Sequence, residues 1–453
     1  MSKYSILKRF LFAGAGSALA GGAALAATPI DVILAVDSPL GGGGATVRSV
    51  NAPYTNSLGQ VGFTGNLDLP DGSIEAFVWF NDGLTWRNSD APSPNILTGN
   101  EATSGISDTG GFIYSPFHLF ESEVGESTRD SVWTQNGLLL RRTDPTPGIA
   151  GQFATFNSRP RMTPDGTAWW IAGFREDTAS SASQGRILYR ADGADPSNIV
   201  PVISTMDTFD GFSPTNAGLG FAYDISENNN NVISTLTMAG LPTSQNSWLY
   251  LNGDIVIRQS DPVGDGTNWN ALRTTSVNNS GDYLTSGTTS GGVTATQEYL
   301  AYNGDIAMRR GDTIDGVELL SNWAVRWASI NNLGEAAYIW EGGSGASGSG
   351  TLFWASDAAN MASTSFAILS IGDEVDTTGD GMPDHVLRNF NASAAIAPGI
   401  DFSDHLWVYL DVNLVPIGGG DFFGAIIRVA VPSPGAVALF GLAGLAATRR
   451  RRA

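Results

Sequence analysis

The 453-residue sequence contains no cysteine, which excludes disulfide bonds and thiolate sites. If the chain is exported, its hydrophobic core alone must hold the fold. Lysine occurs only at Lys3 and Lys8, and the formal net charge is −20. Three basic residues in the first 27 positions and four at the C-terminus lie in predicted targeting segments, so removal of both segments leaves about −27. A charge of this sign opposes binding to nucleic acid or anionic membranes.

Histidine is also scarce, with only three in the chain. No His-Glu-x-x-His zinc motif and no Gly-x-Ser-x-Gly nucleophile elbow is present. His118, between Phe117 and Leu119, is expected to be a packed or hydrogen-bonded strand residue rather than a catalytic base. Helical heptads are absent, while the 56 glycines and frequent Asn, Ser and Thr indicate an all-β protein with many turns.

One pattern occurs twice in succession between Trp248 and Trp340. Each copy contains Asn-Gly-Asp between two short apolar runs, at Asn252–Asp254 and Asn303–Asp305. Asn-Gly supplies the positive φ angles of a tight hairpin turn. A second turn follows in each copy, ending at Gly281 and Gly334. Each copy therefore predicts four strands in about fifty residues, as in a propeller blade rather than a solenoid coil.

The second type of turn recurs seven times, which predicts about seven blades. In five copies Gly occupies the left-handed position, and Asn or Asp is the natural replacement in the two degenerate ones. The turns are Asn56–Gly59, Ser107–Gly110, Thr163–Gly166, Glu227–Asn230, the two that end at Gly281 and Gly334, and Asp401–Asp404.

The Asn-x-x-Gly turns followed by an aromatic residue resemble the tandem-repeat family named for its Asn-x-x-Gly-x-x-x-Phe repeats. Asn56, Gly59 and Phe63 match that pattern, and Asn331, Gly334 and Tyr338 match it with Tyr in place of Phe. The resemblance implies a repeat domain over residues 28–431 and no particular activity. The expected fold is an all-β propeller, flanked by an N-terminal signal helix and a short C-terminal sorting helix.

Two strands remain unassigned to a complete blade, one at each end of the repeat region. Ile30–Val36 looks like the second strand of a blade that lacks its first strand, and Gly424–Val431 follows the last turn. We expect these two segments to pair and close the ring, because closure removes open sheet edges.

Both termini have the features of targeting signals. Residues 1–27 combine the basic Lys3, Lys8 and Arg9 with an apolar run and a small-residue cleavage site at Ala24-Leu-Ala26, typical of a secretory signal peptide. At the other end, an apolar run of about a dozen residues is too short for a bilayer span, which needs roughly twenty. It begins after Val431, Pro432, Ser433, Pro434 and Gly435 and ends at Arg449, Arg450, Arg451 and Arg452.

This C-terminal arrangement over residues 432–453 resembles the PEP-CTERM sorting signal, with Ser433 in place of the name-giving Glu. The resemblance implies recognition by the membrane protease exosortase after export. It also implies transient membrane anchoring and a final location on the surface, or in the extracellular matrix, of a Gram-negative bacterium that makes exopolysaccharide.

An acidic loop is the best candidate for a metal site. Asp376, Thr378, Asp380, the Met382 carbonyl and Asp384 follow the alternating order of a Ca²⁺ loop, with Gly381 at the sharp turn. It resembles the Asp-rich calcium repeats of extracellular bacterial proteins. Leu387 stands where a bidentate Glu is usual, so a solvated acidic loop is the alternative.

Recurrent residues are expected to be structural. Arg141, Arg258 and Arg309 end equivalent strands and are predicted to pair with loop aspartates Asp144, Asp261 and Asp312, and most of the twelve tryptophans should pack between blades. The leading hypothesis is a secreted, surface-sorted, non-enzymatic component, either binding or structural, that is associated with the extracellular matrix or exopolysaccharide, with exopolysaccharide or a surface protein as its ligand. A carbohydrate-active lyase or hydrolase on the same fold and a calcium-dependent adhesin are the alternatives.

Overall fold

The protein is built from short antiparallel strands that follow one another through hairpin turns. A computed structural model describes residues 28–127, 129–178, 182–342, 348–391, 400–402, 404 and 407–431, and for 100–104, 220–222 and 400–402 only the backbone. The predicted signal helix, the predicted sorting helix and His405 lie outside the described residues. The strands form a seven-bladed β-propeller, as predicted, and the strands of each blade are named A to D in chain order.

Blades 1 and 2 begin the ring. In blade 1 the strands are Thr46–Val50, Val61–Asp68, Ile74–Phe80 and Gly83–Arg87, with Tyr54–Thr55 as a second segment of strand A. In blade 2 they are Asn95–Ile106, Phe112–Phe120, Arg129–Thr134 and Gly137–Arg141.

Blades 3, 4 and 5 repeat the same order. Blade 3 contains Phe153–Met162, Ala168–Arg175, Gly185–Ala191 and Ile199–Ser204. Blade 4 contains Pro214–Ile225, Val232–Met238, Ser247–Leu251 and Asp254–Arg258. Blade 5 contains Asn268–Val277, Tyr283–Ser290, Glu298–Tyr302 and Asp305–Arg309.

Blades 6 and 7 complete the ring. Blade 6 contains Ala324–Ile330, Ala336–Gly342, Ser349–Ala355 and Ser365–Ser370. Blade 7 contains His385–Phe390 with Ile400–Phe402 as a second segment of strand A, then Trp407–Pro416, Phe423–Ala430 and, as strand D, Asp31–Ala35.

Only short elements lie outside the blades. The extended pairs are Thr28–Pro29 with Glu374–Asp376 and Thr313–Ile314 with Val317–Glu318, and one helical turn spans Met361–Thr364. Short 3-10 helices occupy Asn88–Asp90, Glu121–Glu123, Asp192–Ala194, Pro196–Asn198, Thr294–Thr296 and Ala358–Asn360. No helix in the described part of the chain is both long and apolar enough to cross a membrane.

Strand A is the innermost strand of each blade, because strands A of neighbouring blades contact one another around the ring. Antiparallel pairing then gives the ring two distinct sides. The turns between strands A and B and between C and D lie on one side, called the turn face. The connections from B to C and from D to the next strand A lie on the other, called the loop face.

The cores lie between adjacent blades, and side-chain alternation along each strand decides which core a residue joins. Trp169 packs into the core shared with blade 4, while the next residue, Trp170, packs into the core shared with blade 2. Ten of the twelve tryptophans are buried, and Trp86 and Trp407 are partly buried. The prediction that most tryptophans pack between blades is confirmed.

All seven predicted turns link strand A to strand B, and the Asn-Gly turns link strand C to strand D. Gly281 has φ +87°, and in the degenerate fourth turn Asn229 takes the left-handed position with φ +59°. Asn252 has φ +53° and Gly253 has φ +105°, as a type I′ hairpin requires. The turn residues therefore form the predicted hairpins because their backbone preferences are local.

In blades 1 and 5, the Asn that begins the turn motif, Asn56 or Asn278, joins its own turn to the next blade. Asn278 is 3% exposed, and its Oδ1 accepts hydrogen bonds from the N–H groups of Ser280 and Asp282, both at 3.0 Å. Its Nδ2 donates to the carbonyl oxygen of Asn331 in the blade 6 turn at 3.2 Å. Asn suits this position because its amide places an acceptor and a donor on two separate atoms of one short side chain.

Hydrogen bonds of several kinds connect the remaining neighbours, so that all seven blades are linked in a closed ring near their A–B turns, which we call the turn ring. The remaining links are Asn56 Nδ2 to Ser107 O (3.1 Å), Asp108 N to Pro164 O (2.8 Å), Asn229 Nδ2 to Asp165 Oδ2 (2.9 Å), Asn231 Nδ2 to Asn278 O (2.9 Å), Asn332 N to Asp404 Oδ1 (2.8 Å) and Tyr409 Oη to Gly59 O (3.0 Å).

The predicted closure between the ends of the repeat region is confirmed. Asp31 pairs with Arg428, and Ala35 pairs with Ala425, in an antiparallel ladder. The expectation that Ile30–Val36 is the second strand of the first blade is wrong, because the segment is the outermost strand of blade 7. Blade 7 takes strands A, B and C from the C-terminal end of the repeat domain and strand D from its N-terminal end.

We expect Asn278→Asp to destabilise the protein by about 1–3 kcal/mol, because the buried Asn331 carbonyl loses its donor and a second carboxylate faces Asp282. Urea unfolding of residues 28–431 measures this change. Asn270→Asp, at an exposed asparagine, is the matched control and should leave the unfolding midpoint nearly unchanged. Equal effects of the two substitutions would contradict the role of the turn ring.

Candidate functional site

Five of the seven innermost strands carry an arginine at a β-bulge. At each of these positions the pairing with strand B shifts register, so that the arginine has no partner in the ladder. The five residues, which we call bulge arginines, are Arg48, Arg159, Arg273, Arg326 and Arg388.

The packing around Arg326 shows why the bulge matters. Val325 packs into the core between blades 5 and 6, and Trp327 packs into the core between blades 6 and 7. In a regular strand side chains alternate between the two faces, so residues two positions apart, such as Val325 and Trp327, would point into the same core. The additional residue at position 326 is therefore free of both cores.

Two blades bring bulge arginines together around a buried carboxylate at the loop-face end of their junction. Glu298, the first residue of strand C in blade 5, is 1% exposed. Its Oε1 accepts from Arg273 Nη1 at 2.6 Å and its Oε2 lies 3.5 Å from Arg310 Nη2. Burial raises the pKa of Glu298, and the guanidinium groups of Arg273, Arg310 and Arg326 oppose this increase.

The position of Arg310 is fixed by a second bond. Its Nε donates to the carbonyl oxygen of Trp323 at 2.7 Å. The Trp323 indole donates in turn to Ser349 Oγ at 2.7 Å, so the ring edge is engaged within the protein. Trp323 therefore holds Arg310 in position and is not available to stack against a ligand.

Arg326 and Glu341 are the members of the cluster that make fewer hydrogen bonds. Glu341 lies at the loop-face end of strand B in blade 6 and is 7% exposed. Among the described residues, neither its Oε2 nor Arg326 Nε has a hydrogen-bond partner. Burial raises the pKa of Glu341, while Arg326 lowers it. The cluster thus combines arginine hydrogen-bond donors with a buried carboxyl group whose pKa is raised.

The predicted calcium loop lies on the loop face between blades 6 and 7. Asp376 is 3% exposed and accepts backbone hydrogen bonds from Thr378 (3.0 Å), Gly379 (2.7 Å) and Gly381 (2.7 Å). Burial alone would raise the pKa of Asp376, but these hydrogen bonds lower it below its ordinary value. The carboxylate therefore caps the backbone of its own loop.

The other predicted ligands point to separate partners. Asp380 accepts from the N–H of Met382 at 2.8 Å, and Asp384 accepts from Thr377 Oγ1 at 2.6 Å and lies 2.9 Å from His385 Nδ1. No group of three or more His, Asp or Glu side chains suited to a metal ion is found among the described residues. Calcium in this loop stays a prediction, since a bound ion would have to compete with these donors.

His118 is a packed structural residue, as predicted. It is 0% exposed, its Nε2 lies 3.0 Å from Asn95 Oδ1, and its ring contacts Phe120 edge to face at 4.7 Å. Burial lowers its pKa to about 4, and Arg141 contributes to the decrease. The imidazole is therefore neutral in the fold at neutral pH.

The predicted arginine–aspartate pairs are confirmed for Arg141, which lies within ion-pair distance of Asp144, and are wrong for Arg258 and Arg309, which pair with other aspartates. Asp144 and Asp312 accept from the N–H of Arg141 (2.8 Å) and Arg309 (2.7 Å), although Asp144 Oδ1 also lies 3.9 Å from Arg141 Nε. The closest ionic partners of Arg141, Arg258 and Arg309 are Glu123, Asp210 and Asp265 respectively.

A polar group on blade 7 carries no recognisable motif. Asn391 Nδ2 donates to Asp411 Oδ1 at 2.8 Å, and Asn413 Nδ2 donates to Asn391 Oδ1 at 2.8 Å. Burial raises the pKa of Asp411 to about 7, against the effect of the Asn391 hydrogen bond. The residues come from two strands more than twenty positions apart, so sequence spacing could not group them.

The predicted sorting residues are described only at their start. Val431 is 5% exposed and packs in the core between blades 6 and 7, which also contains Ile30. Pro432, Pro434, Gly435 and the arginines from Arg449 to Arg452 lie outside the described residues.

No protein-family model and no curated protein matches the sequence. Among solved structures, a puromycin-hydrolysing peptidase of Mycobacterium tuberculosis is 11% identical, with a TM-score of 0.39 over 88% of this chain and 55% of that one. The present chain thus spans about half of that peptidase. A polysaccharide lyase of family PL25, an ulvan lyase, is 9% identical, with a TM-score of 0.35 over 85% and 93% of the two chains.

A protein of unknown function from Dyadobacter fermentans is 10% identical, with a TM-score of 0.36 over 88% of this chain and 99% of that one. Similarity at this level does not transfer an activity, because one fold supports many functions. The function has to be argued from the residues of this chain.

The buried neutral His118 predicts a specific acid sensitivity. As pH falls from about 6.5 to about 4, the unfolded chain binds a proton at this histidine while the folded chain does not, so stability decreases by roughly 2–3 kcal/mol in that window. His118→Gln should remove this part of the pH dependence. Urea unfolding at several pH values measures it, and parallel curves for the two proteins would contradict the assignment.

Proposed function

We propose that the protein is an exported β-propeller, retained at the cell surface, that binds an extracellular polysaccharide or surface protein without transforming it. The observation that carries this proposal is the orientation of the ring relative to its C-terminal segment. Strand C of blade 7 ends at Ala430 on the turn face, whereas the arginine–glutamate cluster opens towards the loop face. A chain anchored through residues 432–453 would therefore present the cluster away from its anchor.

The closure of the ring supports the same proposal. Ile30 and Val431 share one buried core, and the strands that follow and precede them are paired with each other. Both predicted targeting segments lie outside this closed unit. Export machinery and exosortase are therefore proposed partners that can process either end without opening a blade.

Side chains that could act in catalysis are already held by contacts within the protein, which favours binding over catalysis. His118 is buried and neutral, and the Asp376 carboxylate caps its own loop. Glu298 is held by two arginines.

One observation favours the alternative, a carbohydrate-active lyase or hydrolase. Glu341 is buried, its pKa is raised by burial, and Arg326 is its charged neighbour. A carboxyl group with a raised pKa is a common general acid. Turnover has to be measured directly for this reason.

The test of binding against catalysis uses purified residues 28–431 and a panel of neutral and acidic polysaccharides, with calcium and with chelator. We expect binding without a change in polymer length or new reducing ends. Product formation would overturn the non-enzymatic proposal and direct attention to Glu341. Binding that requires calcium, and that Asp380→Ala abolishes, would support the adhesin alternative, whereas equal binding in chelator would exclude it.

The surface-sorting proposal has a separate test. Deletion of residues 432–453 should move the protein from the cell fraction to the medium, because the closed ring ends at Val431 and stays folded. Substitution of all four C-terminal arginines, from Arg449 to Arg452, by Gln should also move the protein from the cell fraction to the medium. Unchanged cell association of the deleted protein, measured by fractionation and immunoblot, would contradict the sorting prediction.

A further inference from the structure

The bulge arginines of blades 5, 6, 7 and 1 lie on four consecutive blades. Arg273, Arg326, Arg388 and Arg48 therefore follow one another along an arc of the innermost strands. Their neighbours place the arc at the loop face: Asp68 ends strand B of blade 1 and Phe422 precedes strand C of blade 7.

Two of these arginines lack an acidic partner in a chain that is rich in acids. The sequence has 44 acidic residues against 24 basic ones, and arginines elsewhere, such as Arg161, Arg258 and Arg428, form ion pairs. In the described part of the chain, no carboxylate lies within the ion-pair distance of 4.0 Å from Arg326 or Arg388. Among the described residues, therefore, neither arginine forms an ion pair, although Arg326 interacts electrostatically with Glu298 and Glu341.

The environment of Arg388 leaves its donors available. Its guanidinium carbon lies 4.1 Å from the ring centroid of Phe422, a side chain that is 50% exposed. A guanidinium group stacked on an aromatic ring keeps its N–H groups in the plane, directed outwards. This geometry suits bidentate binding of a planar or tetrahedral oxyanion.

Arg326 has a donor that the protein leaves unsatisfied. Its Nε is buried and has no partner among the described residues, and the same holds for Oε2 of Glu341, a side chain that is 7% exposed. A buried polar atom without a partner can be completed by water or a ligand. Arg141 and Arg258 also have such an Nε, so the inference rests on Arg326 and Glu341 together. An anion at Arg326, with a hydroxyl group donating to Glu341, would satisfy both atoms.

Arg273 and Arg48 flank this pair and are half-exposed, at 47% and 51%. Each is held by one carboxylate, Glu298 at 2.6 Å and Asp68 at 2.9 Å, which orders the side chain. An arginine has five N–H donors, so a single pairing leaves others for a ligand. The four guanidinium groups thus suit a polymer with repeated negative charges better than a single small ion.

We propose that this arc binds the oxyanions of an acidic polysaccharide, either uronate carboxylates or sulfate esters. The inference rests on the proposed binding function and specifies its ligand class. Arg326 and Arg388 supply the unpaired charges, Arg273 and Arg48 extend the arc, and Glu341 accepts a sugar hydroxyl group.

The experiment measures binding of residues 28–431 to immobilised polygalacturonate, dextran sulfate and neutral dextran, at low and at near-physiological ionic strength. We expect binding to at least one of the two polyanions, weakening with salt, and none to dextran. Arg326→Gln and Arg388→Gln should each weaken binding about tenfold, as expected for the loss of one charge-assisted hydrogen bond. The control Arg190→Gln, at an arginine paired with Asp192 in blade 3, should bind like the unchanged protein.

The outcomes separate this inference from the proposed function. Preference between the two polyanions identifies the carboxylate or the sulfate ester as the ligand group. Equal binding to neutral dextran, or equal effects of all three substitutions, would overturn the anionic class and leave the binding function intact. Binding to none of the three polymers would also overturn it, whereas shortened polygalacturonate would overturn the non-enzymatic function instead.

Folding of the variants is checked by their melting temperatures. Arg388 contacts an exposed ring on the surface, so Arg388→Gln should keep the melting temperature of the unchanged protein. If Arg326→Gln unfolds, Arg388→Gln alone decides the result. Unchanged polyanion binding by a folded Arg388→Gln would then overturn the proposed arc.

Discussion

The structure depends on hydrogen bonds that connect the inner turn of each blade to the next. A propeller blade by itself exposes two apolar faces, and burial against its neighbours is non-directional. The turn ring adds direction, and in blades 1 and 5 one Asn amide supplies it, because Oδ1 closes the turn of its own blade while Nδ2 reaches a carbonyl of the next. Asn278 makes all three bonds while 3% exposed, where an unpaired group would be costly. The turn ring thus sets the relative position of blades whose cores alone would not specify it.

That constraint at the turn face has a counterpart at the loop face. Strand A of each blade leads into the turn ring at one end. Where the strand has a bulge, the bulge contains a residue that packs into neither neighbouring core. Arg326, between Val325 and Trp327, is the clearest case. An arginine is tolerated there because it lies outside both cores. The architecture therefore produces polar positions around the ring without loss of packing, and chemistry can change at these positions while the cores stay the same.

Closure of the ring brings the two ends of the repeat domain together. Strand D of blade 7 comes from the N-terminal side and its neighbour comes from the C-terminal side, so the last blade can form only when both ends of the domain are present. Without cysteine, this ladder and the core shared by Ile30 and Val431 hold the two ends together. The predicted signal and sorting segments lie beyond these residues.

The sequence by itself determined the turns, their number, the all-β class and the pairing of Ile30–Val36 with Gly424–Val431. These features depend on a few adjacent residues with positive φ, or on alternation within one strand. Only the tertiary structure decided that Ile30–Val36 is an outermost strand, that Glu123, Asp210 and Asp265 hold the recurrent arginines, and that Asp376 caps its own loop. It also decided which arginines stand at bulges, because register arises between strands rather than within them. The register decides which side chains, tens of residues apart in the chain, become partners. No local sequence pattern indicates that register.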